Sequence, residues 1–484
     1  MSVNLRNSAV PTREERLGSI TGYTGDLDNL VGESRCGSLQ NKERCFSQSS
    51  SCLSGCALSQ IGAIRDVAVI YHAPAGCCAG AAGETVLYRQ LASRIQVEYN
   101  SVMIGSDLDE SDTVFGALDS VRDIIFKTKE RYHPKAIFIS SSCVTGVIGE
   151  DVDSLADELD KEFDIPVIAV HCEGFKSRIW ATGFDISDHA VLQGLVKPPK
   201  EKRQVLNFKN FFESERGQIS EIFERFGVKT QFLYSNSTVE ELEHISESLA
   251  TVCICGTLGT YLGNGLEELY GVPYVRTINP MGMVGFETWM RKIGNVIGKD
   301  AEVDAYLQEE REKYLPAIEE AKKSLEGLTA VIGMGPGYTY EVARVLQELG
   351  IKVVWAAAWH YDYKYDNGDV PPAMEYLKEN SPNNIKFSVA DQQNFEILNI
   401  LHEYQPDLYF SRHPGSTVWA VKQGVTAVYV ADEYLIFGYK GTLAFAKMVA
   451  DAVRNRSFEK NLAARVKLPY TDWWYQQQNH IMQR

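Results

Sequence analysis

Sulfur is unevenly placed in this sequence: all ten cysteines fall within the first 255 of its 484 residues. Soft thiolates suit iron-sulfur clusters, and three on separate loops can hold one side of such a cluster. Cys52, Cys77 and Cys143 offer that set, with Cys56 and Cys78 close by. There is no compact CxxC pair, so the ordinary zinc and ferredoxin spacings do not apply. A small buried hydrophobe is the plain alternative for each thiol. Cys255 follows the apolar run 249–254 and stands near the start of a helical stretch, where free N–H groups and the helix dipole favour a thiolate. His360, in AAAWHYDYKYD, and His413, in SRHPGS, follow predicted strands and can offer an imidazole, a group with many uses besides ligation.

These residues need a scaffold that brings distant loops together. Residues 67–71 form a short apolar run ending in HAPAGCCAGAAG, and residues 136–140 form another ending in SSSCVTGVIGED. Each reads as a buried strand followed by a cysteine-bearing loop. A third strand, 166–170, runs into HCEGF. In open parallel sheets ligands gather at the carboxyl ends of strands, and three successive strand ends here carry cysteine. After the charged stretch KPPKEKRQ a second unit begins, and the helix-patterned EEREKYLPAIEEAKKSLEG connects to a third. There TAVIGMGPGYTYEVARVLQELGIKVVWAAAW reads as strand, helix, strand, the pattern of a right-handed parallel crossover. The GMGPG turn lacks the last glycine of GxGxxG, because Tyr338 stands there. The expected architecture is α/β, with three Rossmann-like units and parallel sheets over 1–205, 206–325 and 326–484.

Composition narrows the partners. Forty-eight basic against 64 acidic residues give a net charge of -16, which repels a phosphate backbone, so no nucleic acid is expected. The first residues lack a signal-peptide core, and no apolar run reaches membrane-spanning length. A cytoplasmic protein with no membrane partner is expected, and in that reducing compartment thiols serve as ligands or redox groups more readily than as a disulfide framework.

The segment CLSGCALSQIGAIRDVAVIYHAPAGC, residues 52–77, resembles the stretch of nitrogenase-type subunits in which a cysteine precedes a strand and an HGPxGC loop. SSSCVTGVIGED is similar to that family's third cysteine motif, and HCEGF and LEELYGVPYVR extend the likeness over nearly the whole chain. The resemblance is to the D-type (alpha) subunit of nitrogenase component 1. It implies that Cys52, Cys77 and Cys143 are this chain's ligands to a P-type 8Fe-7S cluster shared with a partner subunit. The family has Gly where Cys56 stands, so Cys56 is an alternative to Cys52, which keeps the spacing ungapped. Cys36, Cys45 and Cys78 have no matching role. Cys255 falls in register with the cysteine that anchors a complex active-site iron-sulfur cluster.

The family's opposite cluster ligand is a histidine, and Phe437 takes its place here, leaving His360 and His413 as candidates. A glutamine and a histidine that face the cofactor in nitrogenase are Trp180 and Phe184 here, followed by Asp185. Bulky aromatics do not shuttle protons, but they can shape an apolar pocket for a carbon-containing substrate; two aromatics packed in a core are the plain alternative. By this likeness the chain pairs with a K-type (beta) subunit in a D2K2 heterotetramer and receives electrons from a dimeric, ATP-dependent 4Fe-4S reductase. Among nitrogenase-like families the pocket is most similar to methylthio-alkane reductases, which cleave carbon-sulfur bonds of a small-molecule thioether. A cofactor-assembly scaffold of the same family, a tetrapyrrole-reducing relative and nitrogenase proper remain alternatives.

Overall fold

A computed structural model describes residues 3–42, 52–211, 213–364, 370–390, 394–412, 414–430 and 436–476. In chain order the strands are β1 (Gly22–Asp26); β2 (Val67–Tyr71), β3 (Val102–Gly105), β4 (Ala136–Ser140) and β5 (Val167–Val170); β6 (Val205–Lys209), β7 (Lys229–Leu233), β8 (Ala250–Cys253) and β9 (Tyr274–Val275); then β10 (Thr329–Met334), β11 (Lys352–Ala358), β12 (Lys386–Ala390), β13 (Leu408–Ser411) and β14 (Thr426–Tyr429). They form three sheets, ordered β3-β2-β4-β5, β7-β6-β8-β9 and β1-β12-β11-β10-β13-β14. All pairings are parallel except that of β1 with β12. The expected α/β class with parallel sheets is what the chain adopts.

Two compact units result. The first holds the described residues of Met1–Arg16, Ser51–Ile254 and Leu258–Val275, and the second those of Leu17–Ser50, Cys255–Thr257 and Arg276–Arg484. In the first unit β2, VAVIY, and β4, AIFIS, are buried along their whole length. Continuous apolar runs mark strands covered by helices on both faces, which is why they do not alternate. One core joins both of its sheets, running from Val69 and Phe138 through Ile186 and Leu192 to Leu233 and Leu266. The junction near residue 205 is therefore a passage between two sheets that share a core.

In the second unit the strand GYTGD lies antiparallel on the edge of the six-stranded sheet, Gly22 opposite Ala390. Residues 17–42, expected in the first unit, thus pack with the last. The turn after β10 is a plain helix start: Gly335 is the N-cap and Pro336 the first residue of the helix Pro336–Glu348, where a missing N–H costs nothing.

Candidate functional site

The chain leaves β2 toward β3 on one side, then crosses back to β4 on the other. Such a reversal opens a crevice between the two strands at their carboxyl ends. Cys77 and Cys143 flank it. Cys77 lies in the first turn of the helix Ala75–Arg94, which follows β2, and Cys143 opens the helix Cys143–Ile148 after β4. The Ser142 cap holds that second turn in place, exchanging hydrogen bonds with Thr145. Cys52 is itself the N-cap of the helix Leu53–Gly62. Three thiols thus sit at three helix N-termini, where unpaired N–H groups and the positive end of the dipole stabilise negative charge.

Their convergence can be read from a glycine. A Cβ built on Gly174 would lie 2.5 Å from the Cys52 sulfur and 3.3 Å from that of Cys143, so the two sulfurs are no farther apart than the sum of those distances. Burial raises the Cys77 thiol pKa, and charge on Cys52 and Cys143 raises it further, which puts the third sulfur in the same field. All three open on the surface of the chain. Among the described residues no group of three His, Cys, Asp or Glu closes around a single ion. Thiolates that grip a multi-iron cluster bind separate irons, so they have no need to. The donor set and the helix termini fit such a group, and the missing side chain at Gly174 lets the Cys52 and Cys143 sulfurs close in on the loop.

The neighbouring cysteines turn elsewhere. Cys56, one helical turn on from Cys52, is buried with Ile179, Ala181 and Phe184. Burial pushes its thiol far up. Cys78 faces the Ala73 carbonyl at 3.4 Å, and Cys172 is buried 2.8 Å from the Ser140 hydroxyl. Cys36 is exposed beside Ser38, and Cys45 lies outside the described residues.

Polar residues of the same motifs frame the crevice. His72 is buried between the Ser106 hydroxyl, 2.8 Å away, and the Glu150 carboxylate. After β5, His171 bonds Asp153 at 2.9 Å and pairs with Glu173, which Lys176 approaches to 2.8 Å. Burial opposes a charge on Glu173, yet His171 and Lys176 outweigh it and hold the carboxyl at about 2. For His171 burial disfavours the charge, but the two carboxylates raise its pKa. The sequence motif HCEGF pointed to this loop; only the fold reveals that Gly174 opens the cradle and Glu173 is fixed beside it.

Trp180 and Phe184 meet edge to face, with ring centroids 5.8 Å apart, and pack on Cys56 and Ala181. Asp185 does not face open space. Its carboxylate accepts hydrogen bonds from Arg13 (2.8 and 3.2 Å) and from Arg16 (2.7 and 3.3 Å), and Arg16 also reaches the Thr260 hydroxyl. Burial works against that carboxylate, but the two guanidiniums prevail and lower its pKa. One turn on, the buried Lys209 ammonium sits 3.0 Å from Asp188 and 3.3 Å from the centre of the Tyr234 ring.

In the second unit Cys255 is almost wholly buried, at 2% exposure. It follows β8 and precedes the helix Gly256–Tyr270. Tyr340, from the helix Pro336–Glu348, lies within its electrostatic reach, as do Tyr361 and Asp362 of Tyr340. His360 is buried with Nε2 3.8 Å from Asp362, whose other oxygen accepts from the Ser19 hydroxyl. His413 lies outside the described residues. Phe437 packs into an aromatic group with Phe286 and Trp289.

Residues 52–454 match the family described as nitrogenase component 1 type oxidoreductase. The chain is 26% identical to the nitrogenase molybdenum-iron protein alpha chain of Methanococcus maripaludis over 377 residues, covering 73% of this chain and 76% of that one. It is also 26% identical to the nitrogenase iron-molybdenum cofactor biosynthesis protein NifE of Methanococcus maripaludis (strain DSM 14266) over 417 residues, 83% of each. Among solved structures, nitrogenase Cp1 at pH 5 superposes with a TM-score of 0.70 at 19% identity, covering 90% of this chain and 94% of that one. That likeness is one of fold. Among the described residues no helix is long and apolar enough to cross a membrane.

Proposed function

Because this chain belongs to the nitrogenase component 1 type oxidoreductases, we propose that it is the D-type subunit of a nitrogenase-like reductase. The observation that carries this reading is the approach of Cys52 and Cys143 to Gly174, with Cys77 within electrostatic reach of both, each thiol at a helix N-terminus. These thiolates hold this chain's side of a P-type 8Fe-7S cluster, and Cys255 anchors a second, active-site iron-sulfur cluster. When bound, such clusters supply electrons one at a time at low potential. The chain's own part is to orient the thiolates, neutralise their charge with helix dipoles and keep the Cys255 side dry.

The thiols open on the surface and would hold only part of a cluster, so a K-type subunit completes the site. Exposed apolar side chains on the same elements support that partner: Val147 from the helix of Cys143, Phe115 from a helix beside it, and Phe175 next to Gly174. Exposed apolar groups gathered on one face mark a protein contact. The assembly we propose is D2K2, supplied by a dimeric ATP-hydrolysing 4Fe-4S reductase.

The substrate proposed is a small methylthio-alkane. Trp180 and Phe184 present carbon where a proton-shuttling side chain would serve dinitrogen. For dimethyl sulfide the balance is two electrons and two protons in, one carbon-sulfur bond broken, methane and methanethiol out. The complex with its partner, the reductase and ATP should release both products over many turnovers. No product from dimethyl sulfide would refute the substrate. Similarity to a cofactor biosynthesis protein over 83% of the chain supports a second reading, a cluster-assembly scaffold. Transfer of bound iron to another component 1 protein, without turnover, would select that reading.

A further inference from the structure

The pairing of β2 with β4 runs to Tyr71 opposite Ser140, and the His72 N–H still donates to the Ser140 carbonyl at 2.8 Å. The two arms then part around the crevice, one leading to the helix of Cys77 and the other to the helix of Cys143. A side-chain tie crosses back between them. His72 is fully buried and pairs with the Glu150 carboxylate, whose side chain is 6% exposed. The other Glu150 oxygen accepts from the Ala117 N–H. A carboxylate only accepts, so the imidazole donates through Nε2, and Nδ1 is left to accept from the Ser106 hydroxyl at 2.8 Å. That hydroxyl oxygen accepts in turn from the Ala73 N–H at 3.2 Å.

Both arms are stiff where the tie meets them. On the first, Ala73 is held through its N–H by Ser106 and through its carbonyl by the Leu108 N–H at 3.2 Å, and the Pro74 ring fixes the next φ before the helix of Cys77 begins. On the second, the Glu150 N–H donates to the Thr145 carbonyl at 3.1 Å, which bonds Glu150 back onto the helix that Cys143 opens. We propose that His72 is a positioning residue for the iron-sulfur group shared with the partner: its bond to Glu150 sets how far the Cys77 loop stands from the Cys143 helix. This rests on the reading of Cys52, Cys77 and Cys143 as ligands. Groups that hold ligands in place without touching the metal change its affinity by about 10–100-fold when removed.

The test uses the full chain co-expressed with its partner and purified without oxygen. Redox titration followed by electron paramagnetic resonance, and the rate of iron loss to a chelator, are compared for the wild type, His72→Asn, His72→Gln, Glu150→Ala and the variant combining His72→Asn with Glu150→Ala. Asn keeps a polar group beside Ser106 but is too short to reach Glu150, whereas the longer Gln brings an N–H to the place of Nε2. We expect His72→Asn and Glu150→Ala to carry wild-type iron yet titrate at a shifted midpoint with an altered signal, and to release iron about tenfold faster. His72→Gln should behave as the wild type. The double variant should go no further than either single one, because two ends of one tie do not add. Unchanged midpoints in both single variants, or shifts that add, overturn the proposal. Where His72→Asn does not fold, Glu150→Ala, which leaves the buried imidazole in place, decides it. If Cys143→Ala keeps all its iron, the reading of the thiols as ligands fails instead.

Discussion

A Cβ on Gly174 would stand 2.5 Å from the Cys52 sulfur, closer than side-chain carbons approach sulfur in folded proteins. Glycine is therefore required here by space rather than by backbone conformation. The loop after β5 passes so close to the Cys52 and Cys143 sulfurs that a side chain on residue 174 would displace them.

Gly174→Ala should accordingly damage the site and spare the fold. Overpacking of this size costs about 1–3 kcal/mol, and the methyl would push Cys52 and Cys143 apart. We expect iron per chain to fall several-fold while the melting curve stays cooperative. Wild-type iron in this variant would mean that the thiols do not act together.

Asp185 should prove to be a stability residue. Its carboxylate holds two arginines with side-chain exposures of 0% and 8%, and removing the charge strands both. Loss of one side of a buried ion pair costs about 3–5 kcal/mol, so Asp185→Asn should lower the denaturant midpoint sharply. An unchanged midpoint with lost turnover would make it a catalytic residue instead.

The His171–Glu173 pair predicts a stability window in pH. Glu173 has a folded pKa of about 2 against an ordinary value of 4.5. Its contribution is complete above about 4.5 and disappears as pH falls through 2. His171 is raised from 6.5, so its contribution is complete below about 6.5 and is lost as pH rises through the folded value. The difference in stability between the wild type and Glu173→Gln should therefore be greatest between about pH 4.5 and 6.5 and shrink on both sides. A difference that does not vary with pH would refute the pairing.

Much of this was legible in the residues. Strand-end cysteines imply convergence, because parallel strands bring their carboxyl ends to one edge, and the burial of VAVIY and AIFIS follows from their composition. Other features carry no local signal. GYTGD has neither alternation nor an apolar run, so its antiparallel place beside β12 comes from tertiary pairing alone. Arg13 and Arg16 look like any surface helix charges until the chain returns, far along the sequence, with Asp185. Gly174 has no chemistry that a pattern could detect; its meaning is the closeness of the Cys52 and Cys143 sulfurs, which leaves no place for a side chain. Cys52 and Cys56 were equally open by residue type, and burial separates them: Cys52 is exposed at the helix end and Cys56, one turn on, is buried.

That separation gives the most direct test of the central claim. Iron per chain should be measured on the anaerobically purified complex for the wild type, Cys52→Ala, Cys77→Ala, Cys143→Ala and Cys56→Ala. We expect the first three variants to lose the same fraction of iron and the same spectroscopic signal, and Cys56→Ala to keep both. An iron-free wild type, or equal loss from Cys56→Ala and Cys52→Ala, would contradict the assignment.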